Sequence, residues 1–443
     1  MSEENLENNH VSSNMRKVAL TALAGTSIEW YDFFLYGAAA ALIFPTAFFG
    51  EVAPTTALIL SLLTFAAGFI ARPIGGIIFG HFGDKIGRKK TLISALMLMG
   101  ISSTLIGLLP TYAMIGALAP VLLTILRFAQ GLAIGGQWGG AMLLVTESAP
   151  SDRRGYYGAF AQAGAPIGVI LANLALIITS ALVSDEFFNT WGWRIPFLAS
   201  AVLILVSMYI QLNLEDTKAF KELAAHRNEK QDVQQIEIQK SPIIEAVRKY
   251  PKRIMLAAGA FINIQVTFYI LIAFLLAYGV QSAKMARDDM LTAVLIASAI
   301  MVPVQFLFSS YSDRHGRRGI FMMGAILSGI WAFAIFPLVD TGSFWLITLA
   351  VSGGMIFLAM MYGPQAAFFT ELFSTEVRYS GATLGYQFGA IIGGAFAPTI
   401  AVKLWTEFAV FWVSVYMAFS ALITLLSVMA LTETYQSDLN KTE

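Results

Sequence analysis

Residues 80–90 read GHFGDKIGRKK, and residues 309–319 read SSYSDRHGRRG. Aligned without gaps, Asp84, Gly87 and Arg88 meet Asp313, Gly316 and Arg317 at an offset of 229 residues. A second pair follows in the same order. Thr146-Glu147, with Asp152 and Arg154 after it, matches Thr370-Glu371, with Glu376 and Arg378 after it, at an offset of 224. Two similar offsets in one order mark an internal duplication. Each copy borders long apolar runs, and duplicated helical halves packed around a midplane site are a transporter pattern.

The 443 residues around these motifs are 57% hydrophobic and only 13% charged. A soluble globular chain carries about 25% charged residues. The composition therefore specifies a membrane protein and excludes most soluble enzymes, nucleic-acid binders and secreted scaffolds. Lys+Arg and Asp+Glu are both 28, so net charge points to no polyanionic partner. With no cysteine there is no disulfide and no thiolate metal site. The four histidines (His10, His81, His226, His315) fall outside the apolar runs or, for His81, at the last position of one. No metal and no cofactor is expected. A Gly-rich loop followed by Lys-Ser/Thr is absent, which argues against ATP as the energy source. The polar first 15 residues and the long apolar run behind them do not read as a cleavable signal.

A membrane-crossing helix needs about 20 mostly apolar residues. Twelve such runs occur, at about 18–48, 56–81, 91–110, 117–145, 155–183, 194–213, 254–280, 290–309, 319–339, 344–370, 379–403 and 408–431. Continuous runs of this length mean helices and not a barrel. The expected fold is an all-α membrane protein of twelve transmembrane helices in two six-helix pseudo-repeats. Its parts are an N-terminal segment 1–17, a first half 18–213, a polar central loop 214–252, a second half 253–432 and a tail 433–443. With both ends inside, cytoplasmic segments hold 22 Lys/Arg and the opposite side four (Arg194, Lys284, Arg287, Lys403). That asymmetry predicts cytoplasmic termini and a cytoplasmic central loop in an inner (plasma) membrane.

Several stretches carry a more particular likeness: EWYDFFLYG (29–37), RPIGG (72–76), GGQWGGA (135–141), WGWRIPF (191–197) and YGPQAAFFTELF (362–373). With the 80–90 loop and the Arg127-Phe-Ala-Gln130-Gly131 run, the chain resembles the major facilitator superfamily over nearly its full length. Within it, the chain resembles the metabolite:proton symporters, a group that carries shikimate, 2-oxoglutarate, citrate, and proline or betaine. The resemblance implies a gate built from the duplicated motifs: Asp84, Arg88, Glu147, Arg154, Asp313, Arg317, Glu371 and Arg378. One departure stands out. Many members carry Glu where this chain has Gln137, and an amide cannot titrate.

Only Glu29, Asp32, Arg72 and Arg127 are charged deep within the spans. An ionisable group at the bilayer centre costs at least ~2.5–3.5 kcal/mol and by default signals function. A partly desolvated carboxyl takes up a proton nearer neutral pH, and a nearby cation opposes that. Glu29 and Asp32 are therefore the candidate proton-coupling groups. Arginine suits the other role, because its planar fork grips a carboxylate with two hydrogen bonds. At about 1.5 Å per residue, Asp32 lies about 22 Å and Arg127 about 30 Å from the cytoplasmic edge, so the two are expected to share a layer and pair. Arg72 reads either as a second anchor or as the partner of an acceptor in spans one or four. Tyr36 shares a helix face with Glu29 and Asp32. Gln130 and Gln137 share one with Arg127, with Trp138 beside them. Uncharged polar residues complete the expected binding set: Gln162, Asn263, Gln365 and Gln387. For each of these the alternative is plain interhelical hydrogen bonding.

The expected function is proton-coupled symport of a small organic acid or zwitterion into the cell by alternating access, with no enzyme chemistry. Its partners are that substrate, protons and the bilayer, and no nucleic acid. Competing readings are a proton-coupled exporter of a hydrophobic compound, an uncoupled facilitator and a membrane sensor.

Overall fold

The computed structural model describes residues 3–86, 88–215, 242–374 and 377–435. Most of the expected central loop and tail lies outside them. Among the described residues every regular element is helical. The first half contains α1 (Glu3–Leu42), α2 (Pro54–Ile86), α3 (Arg88–Leu108), α4 (Leu118–Ser148), α5 (Arg154–Leu182) and α6 (Arg194–Glu215). The second begins with α7 (Pro251–Tyr269), which runs through a π turn at Ile270–Phe274 into Leu275–Gln281. It continues with α8 (Arg287–His315), α9 (Arg317–Asp340) and α10 (Phe344–Glu371). Then come α11 (Arg378–Ala390), extended through a π turn at Ile391–Ala395 into Ala397–Glu407, and α12 (Phe411–Ala430).

Nine of these helices are long and apolar enough to cross a membrane on their own, and the bent α6 unit makes ten. The other two are α1 and α3. Helix α1 carries Glu29 and Asp32 but spends its polarity inside the protein, since Trp30–Ala41 is buried throughout. Helix α3 contains the apolar helical segment Ile93–Leu108.

One span end differs from the sequence expectation. The first apolar run does not stay one helix to residue 48. It breaks after Leu42 and restarts as the short helix Phe44–Phe49, whose first turn contains Pro45. Proline has no N–H to continue the ladder, so the break falls there. Ahead of α6, Asp185–Gly192 forms a separate turn bent by 54° from the span. Arg194 holds that corner. Its Nη1 donates to the carbonyls of Gly107 (3.0 Å) and Leu109 (2.5 Å), at the end of α3. A cation on the last carbonyls of a helix is favourable.

The outer part of α1 and the residues just past α12 share one face, called here the terminal face. Met15 and Ala19 of α1 pack on Val145, Ala149 and Tyr157, where α4 ends and α5 begins. Thr434, just past α12, donates to Glu371 at the end of α10 (2.7 Å). The duplicated motifs lie here as well. Thr146 and Thr370, equivalent positions 224 residues apart, bring their hydroxyls within 3.2 Å of each other. Equivalent residues touch in this way when two halves pack about a pseudo-two-fold axis.

The tightest helix crossing is α2 on α4. A side chain at Gly131 would meet the Gly68 carbonyl, one at Gly135 the Arg72 carbonyl, and one at Gly75 the backbone of Leu132. Small residues allow this backbone-on-backbone approach. It sets Arg72 of α2 and Arg127 of α4 side by side in the middle of the bundle.

Candidate substrate and coupling site

Arg127 leaves α4 across Gly68, where even a methyl group would strike its Nε and guanidinium carbon. Glycine there gives the side chain its path. The Arg127 guanidinium then lies over the rings of Phe33 (4.0 Å to the centroid), Tyr36 (4.3 Å) and Phe65 (4.7 Å). Arg72 lies over the same Phe33 (4.3 Å), Phe69 (4.5 Å) and Trp30 (5.3 Å). Arg72 is 1% exposed and Arg127 not at all. A desolvated cation over an aromatic face gains ~2 kcal/mol or more. The rings thus do part of what a carboxylate would otherwise do. Among the described residues neither arginine pairs with an acid; no Arg72 nitrogen meets hydrogen-bond geometry, although the Tyr269 phenol lies beside it, and Arg127 engages only Nη1.

Asp32 is fully buried, but the expected Asp32–Arg127 ion pair is not formed. Gln130 sits one turn from Arg127 on the same face and takes Nη1 on its Oε1 (3.1 Å). Its Nε2 then donates across to Ser103 of α3 (2.7 Å). Ser103 in turn faces the Asp32 carboxyl. On α6, Ser200 donates directly to Asp32 Oδ1. Two neutral side chains, Gln130 and Ser103, therefore stand between the cation and the acid. Glu29 lies one turn toward the terminal face and is half-buried. Tyr36 is held by a 2.7 Å hydrogen bond to Thr64.

The second half closes this layer with an aromatic wall. Tyr269 of α7 packs on Phe33 (6.3 Å), Phe65 (5.6 Å) and Phe69 (5.0 Å) of the first half. Its ring also lies against Gly394 in the α11 π turn. Tyr362 of α10 and Tyr386 of α11 are buried in the same half.

The remaining expected binding residues divide. Gln162 of α5 hydrogen-bonds Gln365 of α10 and reaches the Tyr362 carbonyl (3.4 Å), so this pair joins the halves. Gln387 is buried, and its Oε1 has no protein donor. Asn263 points into the second half. It accepts from Thr267 and Ser420 (3.0 Å each) and donates to the Met361 sulfur at 3.8 Å. The side chains of Gln137 and Trp138 lie outside the described residues. Ser103, Ser200, Thr64 and Tyr386 were not singled out by sequence. Their only signal there is a hydroxyl within an apolar run, which many packing residues share.

At the terminal face the duplicated motif of the second half is assembled. Asp313 accepts from the backbone of Gly155 (2.7 Å) and Tyr156 (2.8 Å), the first turn of α5, and pairs with Arg317 at 2.7 Å. Glu371 takes Arg317 and Arg154, each at 3.1 Å. Arg378 donates to the carbonyls of Thr370 and Phe373. The side chains of Asp84, Arg88 and Glu147 lie outside the described residues. At the opposite face, Arg287 of α8 donates to Ser180 at the end of α5 (2.7 Å) and to Asn189. Asn173 of α5 reaches the Leu291 carbonyl at 3.1 Å. Both ends of the bundle are thus tied across the halves.

Twelve helices in two repeats, tied at both faces around a buried charged layer, define a membrane transporter. The chain belongs to the Major Facilitator Superfamily, whose model matches residues 22–385. It is 39% identical to an inner membrane metabolite transport protein of Escherichia coli, over 96% of each chain. It is 37% identical to the shikimate transporter of Escherichia coli, again over 96% of each chain. Among solved structures it is similar to the proton:xylose symporter XylE of E. coli. That match has a TM-score of 0.73 at 18% identity and covers 97% of this chain and 98% of the other.

Proposed function

We propose that the protein is a proton-coupled symporter that brings a small organic acid, or a zwitterion bearing a carboxylate, into the cell. The observation that carries this reading is the pair of fully buried guanidinium groups stacked on one phenylalanine with no acid between them. Buried charge is normally paired. A carboxylate arriving from outside supplies the missing counter-charge and meets planar donors that fit it bidentately. A cationic cargo would be repelled by the same pair. Similarity to a shikimate transporter supports the acid class.

Asp32 is the proton site in this account, with Glu29 assisting. A substrate anion on the arginines strips their stabilising field from the Gln130–Ser103–Asp32 chain, and proton uptake at Asp32 follows. The halves then rock about the site, and the Asp313/Arg317/Glu371/Arg154 cluster opens on the terminal face. Lysine and arginine bias supports a cytoplasmic terminal face in an inner membrane. Uptake into proteoliposomes of carboxylates, betaine and organic cations tests the reading. Carboxylates are expected to enter and cations to be excluded. Entry of cations alone would overturn it.

A further inference from the structure

Arg287 is the first residue of α8, on the face opposite the terminal face, and its side chain reaches across to the first half. Nη2 donates to Ser180 at the end of α5 (2.7 Å), and Nη1 donates to Asn189 in the bent turn ahead of α6 (3.3 Å). The guanidinium also lies 3.9 Å from the ring centroid of Phe188, which is fully buried in that turn. A cation shielded from water is attracted to the face of such a ring. Ser180 donates its own O–H to Asp288 (3.0 Å), so one hydroxyl of α5 joins two successive residues of α8. Asp185 stands 3.6 Å from Arg287, but its side chain is 90% exposed, and a solvated ion pair adds little. The Arg287 side chain itself is only 19% exposed. A single residue of the second half thus gathers two elements of the first.

Deeper along the same seam the tie is neutral, from Asn173 to the Leu291 carbonyl. Toward the terminal face α8 is joined to α5 by other means. Gln305 donates to the Ala159 carbonyl (3.0 Å), and Asp313 holds the first N–H groups of α5. Helix α8 is therefore bound to α5 at both ends, through a carboxylate at one and a guanidinium at the other.

We propose that Arg287 is the latch of the outer face. It closes the central site from outside by drawing α8 onto α5 and onto the turn ahead of α6, and it releases Ser180, Asn189 and the Phe188 ring when that face opens. These partners are uncharged, so letting go strands no buried counter-charge. Arg287 is a positioning residue for the closing step and touches no cargo. The proposal rests on the alternating-access part of the reading above and holds for any cargo.

The chain contains no cysteine, so an introduced one reports alone. Leu176 lies between Asn173 and Ser180 on α5 and is 1% exposed, which makes Leu176→Cys a reporter of the outer seam. Ala366 of α10 is fully buried beside Gly158 of α5, which makes Ala366→Cys a reporter toward the terminal face. Labelling of full-length protein in membranes with a hydrophilic maleimide needs no substrate. Arg287→Ala should speed labelling of Leu176→Cys by about tenfold, the shift expected from losing one charge-assisted hydrogen bond, and should not speed labelling of Ala366→Cys. Arg287→Lys keeps the charge but not the fork, and should fall between Arg287→Ala and wild type. Lys403→Ala is the control, because that exposed cation pairs only within its own helix.

A second measurement keeps Arg287 in place. Ser180→Cys with Asp288→Cys sets two thiols where a hydroxyl and a carboxyl now meet. Oxidation of the pair should stop uptake of whichever probe of the panel above wild type carries, and reduction should restore it. Unchanged labelling of Leu176→Cys in Arg287→Ala would remove the latch. An equal gain in Lys403→Ala would reduce it to a general charge effect, and a gain at both reporters would mean a loosened bundle instead. Full uptake with the disulfide closed would show that the outer face does not open along this seam. Should wild type carry no probe of the panel, the cargo reading fails while the labelling result still decides the latch.

Discussion

Asp32 accepts from Ser200, while Ser103 and Gln130 stand between it and Arg127. Neutralising it should therefore stop proton coupling without emptying the anion site. Asp32→Asn is expected to abolish uphill accumulation while counterflow exchange of substrate persists at a rate within about tenfold of wild type, because the arginines are untouched. Glu29→Gln should do the same more weakly. The check is paired accumulation and exchange assays on each variant, and a concentrative Asp32→Asn transporter would place the proton elsewhere. Four embedded charges were legible from the sequence, since charge in an apolar run stands out. Their connection was not. Gln130 was visible as a neighbour of Arg127, but periodicity on α4 alone carries no information about Ser103 on α3. The stacking of both guanidiniums on Phe33 was equally hidden, because aromatic residues in a hydrophobic span read as ordinary core.

The α2–α4 crossing explains why the charged layer exists at all. Gly131 and Gly135 let α4 lie backbone against backbone on α2, and Gly68 gives Arg127 its path. Gly135→Ala puts a methyl into the Arg72 carbonyl, which cannot rotate away. Overpacking of this kind costs about 1–3 kcal/mol. A fall in Tm of several degrees and a larger proportional loss of uptake are expected, because the same shift moves Arg72. Gly319→Ala is the control, since nothing lies near its added methyl. Thermal unfolding and initial uptake on the two variants separate these outcomes; equal behaviour would deny the crossing its role. The four-residue glycine spacing announced close packing in the sequence, though not which helices met. The break at Pro45 and the π turns at Ile270–Phe274 and Ile391–Ala395 were not anticipated. A proline near a span end is common, and a π turn depends on tertiary fit more than on composition.

Across the whole molecule, twelve spans and the duplication were legible because both are long-range patterns, robust to errors of a few residues. The pairings within the expected gate cluster were not, for Glu371 joins Arg154 and Arg317 across 217 and 54 residues respectively. Two cations converge on this one carboxylate at the terminal face. Glu371→Gln should loosen that face and leave the central site intact. Substrate affinity is expected within about threefold of wild type, with increased protease or labelling access to the Arg154 and Arg317 loops, because removing one partner of a buried pair strands the other charges. A large loss of affinity with unchanged access would contradict the gate assignment. The most direct measurement is proton movement itself, recorded with a pH dye inside proteoliposomes when substrate is added outside without any imposed gradient. A carboxylate substrate should acidify the lumen of wild-type vesicles and fail to do so with Asp32→Asn, while labelled substrate still exchanges in both. Substrate entry into wild-type vesicles with no lumenal acidification would contradict the account.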